Sequence, residues 1–227
     1  MKSTQHGDHL TKLTRFGLVN CYLVREDDGL TLIDTGIAGS AGSILGAAEA
    51  LGGPIVRITL THGHQDHAGS LDALAGRLGD VEILLPERDA RFMRGDKSLD
   101  AGERAKQPPS MQRCKCAEAA KTFRAGARIG SLEVVATPGH TPGHVTFRDT
   151  RDATLIAGDV FASVGGLRTS SKPRLPFPLP AIATWDSTVE LESARALCSL
   201  GGSRLALGHG PIVESPDELM RDAVAHG

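Results

Sequence analysis

Residues 61–67 read Thr-His-Gly-His-Gln-Asp-His. Three imidazoles and a carboxylate, His62, His64, Asp66 and His67, fall within this one short run, and core packing has no use for such a cluster. Imidazole nitrogen and carboxylate oxygen are donors that suit zinc and other borderline first-row metals. His62 and His64 stand two apart, so they leave an extended segment on the same side. Asp66 and His67 follow at once and, on a tight turn, can address a second nearby position. One loop could then serve two metal ions. A polar surface turn is the bland alternative, and the surrounding sequence argues against it.

Upstream, residues 53–60 are a short β-rich run opened by Gly53-Pro54, which predicts a buried strand. Downstream, Leu71, Leu74, Ala75 and Leu78 recur at i, i+3, i+4 and i+7, the pattern of a helix with one apolar face. The histidine run thus sits where a strand ends and a helix begins. Free backbone N–H groups at the helix start favour a carboxylate there. Three more apolar strands deliver a candidate ligand at their carboxyl ends. Residues 132–136 lead into Thr137-Pro138-Gly139-His140-Thr141-Pro142-Gly143-His144, residues 154–157 into Gly158-Asp159, and residues 204–207 into Gly208-His209-Gly210. Gly and Pro end each strand, and loops at strand ends are where sites tend to be built.

On these residues the chain resembles the metallo-β-lactamase superfamily. The resemblance rests on His62, His64, Asp66 and His67, on His140, on Asp159 in Ala-Gly-Asp-Val-Phe, on His209, and on the earlier Leu32-Ile33-Asp34-Thr35-Gly36. It implies an α/β fold, a four-layer αββα sandwich with the metals at one edge. It also implies that His62, His64 and His140 hold one metal, that Asp66, His67 and His209 hold the other, and that Asp159 bridges them. The implied cofactor is two Zn, with Mn or Fe as alternatives. Asp34 is implied to steady the site, and a turn carboxylate capping a helix is its rival reading. His144 reads as a hydrogen-bonding neighbour, and His6, His9 and His226 as solvated. The implied chemistry is hydrolysis of an ester, thioester, lactone or amide by a metal-bridging hydroxide, because bound metal lowers the pKa of water to about 7. Asp66 would also carry a proton. No Ser or Cys nucleophile is signalled.

Within the superfamily, thiolester hydrolases of the glyoxalase II type share all seven ligand positions and carry a C-terminal helical extension that recognises glutathione. Only 16 residues follow Pro211 here, so the match is to the catalytic domain without that extension. Lactonases have a tyrosine shortly after the bridging Asp, where this chain has Val160-Phe161-Ala162-Ser163. Exported metallo-β-lactamases generally lack a bridging carboxylate. A mononuclear iron enzyme similar to persulfide dioxygenases stays open, since the ligands such enzymes use are all present.

The 227 residues carry 25 basic and 27 acidic side chains, a net charge of −2, which gives no field for nucleic acid or an anionic membrane. Eight aromatic residues (six Phe, one Tyr, one Trp) do not suggest base-stacking platforms. No apolar run reaches membrane-spanning length, and the N-terminus has no apolar leader. Cys21, Cys114, Cys116 and Cys198 show no disulfide framework. The expectation is a cytoplasmic enzyme acting on a small-molecule substrate, with a homodimer as one option.

Residues 1–16 read as a mobile tail and 17–227 as a single catalytic domain built from two α/β halves with their sheets face to face. A hairpin with an Asp-Gly turn is predicted over 20–34, a helix ended by Gly52-Gly53, and helix-prone polar sequence over 94–121 broken at Pro108-Pro109. Ser187-Thr188-Val189-Glu190 and Ser215-Pro216-Asp217-Glu218 both have capping-box form. Residues 162–184 form a proline-stiffened loop with Leu175, Phe177, Leu179 and Ile182, suited to a substrate wall or a dimer contact. Its Arg168, Lys172 and Arg174 read as solvated charges or as a grip on a carboxylate or phosphate. Trp185 reads as core.

Overall fold

The computed structural model describes residues 1–103 and 110–227; Pro108-Pro109 lie outside the described residues. The chain divides into two compact units. The first comprises Met1–Asp96 and Ser110–Phe123, and the second Arg124–Gly227 with the described residues that follow Asp96.

The first unit is built on a seven-stranded sheet whose spatial order follows the sequence. Its strands are β1 (Lys2–His6), β2 (Leu10–Arg15), β3 (Val19–Glu26), β4 (Gly29–Ile33), β5 (Ile55–Thr59), β6 (Glu82–Pro86) and β7 (Lys121–Phe123). Strands β1 to β4 are an antiparallel meander, whereas β4 to β7 run parallel. Parallel neighbours need a crossover, and α1 (Ala41–Ala50) and α3 (Leu71–Leu78) supply the first two, with the four-residue α2 (Gln65–Ala68) before α3. Ile44 of α1 and Leu71 and Leu74 of α3 are fully buried in one apolar cluster with Leu32, Ile58 and Leu60. That burial aligns the parallel strands and so fixes where their carboxyl ends emerge.

Three expectations change here. Residues 1–16 are not a tail, because β1 and β2 pair from Lys2↔Thr14 to His6↔Leu10 and β2 pairs with β3. Leu10 and Leu13 are buried, while the polar β1 is mostly exposed. An edge strand needs no apolar alternation, which is why its sequence resembles a tail. The β3–β4 turn is Asp27-Asp28, with Gly29 already paired to Glu26. Gly29 sits at φ +145°, and a Cβ there would lie 2.7 Å from the Pro54 carbonyl oxygen. After α4 (Glu87–Arg94), the described residues up to 121 hold only a 3₁₀ turn, Lys115–Glu118, in place of the expected helical stretch.

The second unit carries a six-stranded sheet in the order β15-β14-β11-β10-β9-β8. These are β8 (Arg128–Ile129), β9 (Leu132–Ala136), β10 (Val145–Asp149), β11 (Thr154–Ile156), β14 (Arg204–Ala206) and β15 (Val213–Glu214), and a separate pair joins β12 (Phe161–Ala162) to β13 (Arg168–Thr169). Only β11 and β14 are parallel, with α6 (Ser187–Leu200) in the crossover after the short α5 (Leu179–Ala183). Helix α7 (Asp217–Ala225) follows β15. Asp186, not Ser187, caps α6, its Oδ1 accepting from the N–H groups of Thr188 and Val189 at 3.0 and 3.1 Å. Glu190 is therefore released from any capping box and is wholly buried. Helix α7, by contrast, has no side-chain cap, because Pro216 occupies that position.

Among the described residues no helix is long and apolar enough to cross a membrane.

Candidate metal centre

In the first unit, β5 ends at Thr59 and the chain continues through buried Leu60 into Thr61-His62-Gly63-His64. His62 and His67 are completely buried and His64 nearly so. The His62 ring centroid lies 4.8 Å from that of His64 and 4.0 Å from that of His67. Ligand atoms of His62 and His64 lie within 4.8 Å of each other, and the same holds for Asp66 and His67. Asp66 is the open member, with 37 % of its side chain exposed.

Asp34 anchors this cluster. It is buried, with a left-handed backbone at φ +60°, and its carboxylate accepts three hydrogen bonds. Oδ1 takes the Thr61 N–H at 2.8 Å, and Oδ2 takes the Thr61 hydroxyl and His67 Nδ1, each at 2.8 Å. A carboxylate only accepts, so His67 must carry its proton on Nδ1, and its basic nitrogen is Nε2. The Thr61 hydroxyl spends its single proton on Asp34, so its contact with His62 Nδ1 at 3.1 Å has the ring as donor. The basic nitrogen of His62 is then also Nε2. Asp89, buried on α4, accepts the N–H of Gly63 at 2.9 Å and steadies the backbone between His62 and His64. The loop after Asp34 clamps α2 from the other side. Thr35 donates through both its N–H and its hydroxyl to the His67 carbonyl at 2.6 and 2.9 Å. A Cβ on Gly69 would meet the backbone N of Ala38 at 2.6 Å, so glycine permits that approach.

In the second unit, β9 ends at Ala136 and His140 follows a glycine at φ +128°. A Cβ on Gly139 would lie 2.2 Å from the backbone N of Glu190. The turn is pinned to the start of α6 by Trp185 N–H to the His140 carbonyl at 3.1 Å and Asp186 N–H to the Gly139 carbonyl at 2.9 Å. His140 Nδ1 contacts Thr184 Oγ1 at 2.9 Å, and that hydroxyl reaches the Ser170 and Pro180 carbonyls at 2.7 and 3.0 Å. The single Thr184 proton goes to a carbonyl, so His140 donates from Nδ1 and presents a basic Nε2. Nε2 of His140 and Nε2 of His209 approach the same oxygen, Oδ2 of buried Asp159, at 3.5 and 3.2 Å.

His144 is a neighbour of this group and no ligand. Its Nε2 lone pair accepts the Asp159 backbone N–H at 3.1 Å, leaving Nδ1 to donate to Thr137 Oγ1 at 2.9 Å. The Phe177 ring lies 5.1 Å from that of His209, and Ser163 N–H donates to the His209 carbonyl at 3.1 Å.

All four cysteines are free thiols. Burial pushes Cys114 up to about 12 and raises Cys21, Cys116 and Cys198 as well. The residues that the sequence reading passes over are Thr61, Thr184, Thr137 and Asp89. Each acts through a neighbour, and only Thr61, adjacent to His62, stood close enough in sequence to be suspected. Trp185 is half-buried, not a core residue, and is used through its backbone.

The donor set suits a metal, because His62, His67 and His140 each present Nε2 and three carboxylates stand beside the imidazoles. Residues 14–209 match the metallo-beta-lactamase superfamily. The chain is 42 % identical over 211 residues to the uncharacterized protein YobT of Bacillus subtilis (strain 168), covering 91 % of this chain and 89 % of that protein. It is 30 % identical over 182 residues to a hydroxyacylglutathione hydrolase of Rhodospirillum rubrum, covering 79 % of this chain and 57 % of the relative. Among solved structures, TTHA1623 in a di-iron-bound form superimposes with a TM-score of 0.64 at 28 % identity, covering 90 % of this chain and 94 % of that one. The α/β fold described above is the metallo-β-lactamase fold, and the chain belongs to the metallo-β-lactamase superfamily.

Proposed function

We propose that this protein is a dinuclear metal-dependent hydrolase of small molecules that carry an ester or thioester carbonyl. One metal would be held by His62, His64 and His140 and the other by Asp66, His67, Asp159 and His209, with Asp159 available to both, as the family resemblance implies. The observation that carries this reading is the aim of two imidazole Nε2 atoms, of His140 and His209, at one Asp159 oxygen. A carboxylate approached in this way is placed to serve two ions. Similarity over 57 % of the length of a hydroxyacylglutathione hydrolase supports a thioester as the substrate class.

Bound by these ligands, the metals would supply a water of lowered pKa and polarise the carbonyl under attack. The chain's own part is positioning and proton transfer. Asp34, Thr61 and Thr184 fix the rings through Nδ1. Asp66, whose side chain is the most exposed of the site carboxylates, accepts the proton freed on attack and returns it to the departing thiolate or alkoxide. The buried carboxylates stay as acceptors.

The test is elemental analysis of protein purified without added metal, together with a thioester and ester panel and oxygen uptake on a persulfide. About two metal ions per chain with hydrolysis and no oxygen uptake is the expected result. His64→Ala and Asp159→Ala should each lose metal and activity while keeping a native circular dichroism spectrum. A single iron per chain with oxygen consumption overturns the reading in favour of a dioxygenase.

A further inference from the structure

Within the second unit lies a cavity of about 390 Å³ between β13 and α7, lined by Arg168, Thr169, Arg174, Leu219, Asp222 and His226 among others. Three arginines of this unit's main sheet and its turns have carboxylate partners. Arg148 lies 3.9 Å from Glu133, Arg151 lies 2.6 Å from Asp149, and Arg204 lies 2.9 Å from Glu214. Arg168 and Arg174 have no carboxylate within ion-pairing distance among the described residues. Arg168 donates one guanidinium N–H to the carbonyl of Leu175, which holds its position without cancelling its charge. The one carboxylate on the wall, Asp222, is drawn toward its own helix, with Oδ1 3.5 Å from His226 Nδ1.

Two guanidinium groups facing a recess, one of them braced by backbone, form the arrangement that recognises a carboxylate or phosphate through paired N–H donors. Leu219, half exposed on α7, and Ala223 give the recess an apolar side. We propose that this cavity binds an oxyanion, a phosphate or carboxylate carried on a short apolar group, with Arg168 and Arg174 as its ligands. Asp222 limits the affinity. β13 is paired with β12, Arg168 standing opposite Ala162, three residues beyond Asp159. The inference rests on these side chains and not on the metal-dependent reading.

The test is calorimetric titration of the full chain with phenyl phosphate and with inorganic phosphate at two salt concentrations. Arg174→Gln should weaken phenyl phosphate binding about tenfold or more, as loss of a charge-assisted pair does. Asp222→Asn should tighten it, and raising the salt should weaken it in the wild type. Phenyl phosphate binding more tightly than phosphate identifies the anionic end of a larger molecule, and equal binding identifies a free oxyanion. Both outcomes support the site. No heat with either ligand in the wild type overturns the proposal, as does binding that Arg174→Gln and Asp222→Asn leave unchanged. Arg174 forms no hydrogen bond to the fold among the described residues, so an unaltered melting temperature is expected in Arg174→Gln.

Discussion

Glu190→Gln is the perturbation whose effect can be worked furthest from the structure. The Glu190 side chain is wholly buried in the first turn of α6, and neither oxygen meets a hydrogen-bond partner at bonding geometry. Burial pushes its carboxyl from 4.5 up to about 8, and the nearby Ser170 N–H, which favours ionisation, offsets this only in part. Between those two values the folded protein keeps the proton while the unfolded chain has lost it. The unfolded state then binds fewer protons, so stability falls as pH rises through the window and levels off above pH 8. Each pKa unit is worth about 1.4 kcal/mol, so holding the acid neutral at pH 7 costs roughly 3 kcal/mol. A glutamine of the same shape carries no such cost. Urea denaturation of both proteins at unit steps from pH 5 to 9 should show the variant more stable by about 3 kcal/mol at pH 7. The difference should shrink toward pH 5. A pH-independent difference, or a variant less stable at pH 7, would refute the reasoning.

Three further outcomes follow from the hydrogen-bond geometry. Thr184→Val removes the acceptor of His140 Nδ1 and should weaken metal binding roughly 10–100-fold in chelator competition, with Thr184→Ser close to wild type. Asp34→Ala strands the Thr61 N–H and His67 Nδ1–H in a buried site, at about 1–3 kcal/mol for each orphaned group in denaturant titrations. Gly139→Ala forces a Cβ to 2.2 Å from the Glu190 backbone and should lower the melting temperature sharply, because neither chain segment is a flexible side chain that can give way. A melting temperature within a degree or two of wild type would show that the turn relaxes freely.

The histidines and aspartates were legible because residue type, spacing and strand-end position all point the same way. His62, His64 and His67 follow β5, and His140, Asp159 and His209 lie just beyond β9, β11 and β14. The parallel strands and their helices were legible for a related reason, since the apolar periodicity of Leu71, Leu74 and Leu78 leaves little choice. The threonines were not. Thr184 stands 44 residues from the ring it supports, and a hydroxyl in a loop carries no periodic signal. Strand β1 was missed because hydrogen bonds to β2, and not burial of its own side chains, hold it in place. Asp186 won the cap of α6 from Ser187 because its carboxylate satisfies two N–H groups at once, an outcome that local sequence spacing does not rank.

The hydroxyl protons of Thr61 and Thr184 point away from their histidines, toward Asp34 and toward carbonyls. The direction of these chains is set by the protein alone, so the rings are already turned for capture before any ion arrives. Little rearrangement would then accompany loading, and which first-row metal is held would be set by the fixed ligand geometry and by supply, not by raw affinity. Protein raised in zinc-rich, iron-rich or manganese-rich medium should therefore differ in metal content, which elemental analysis of each preparation would read directly.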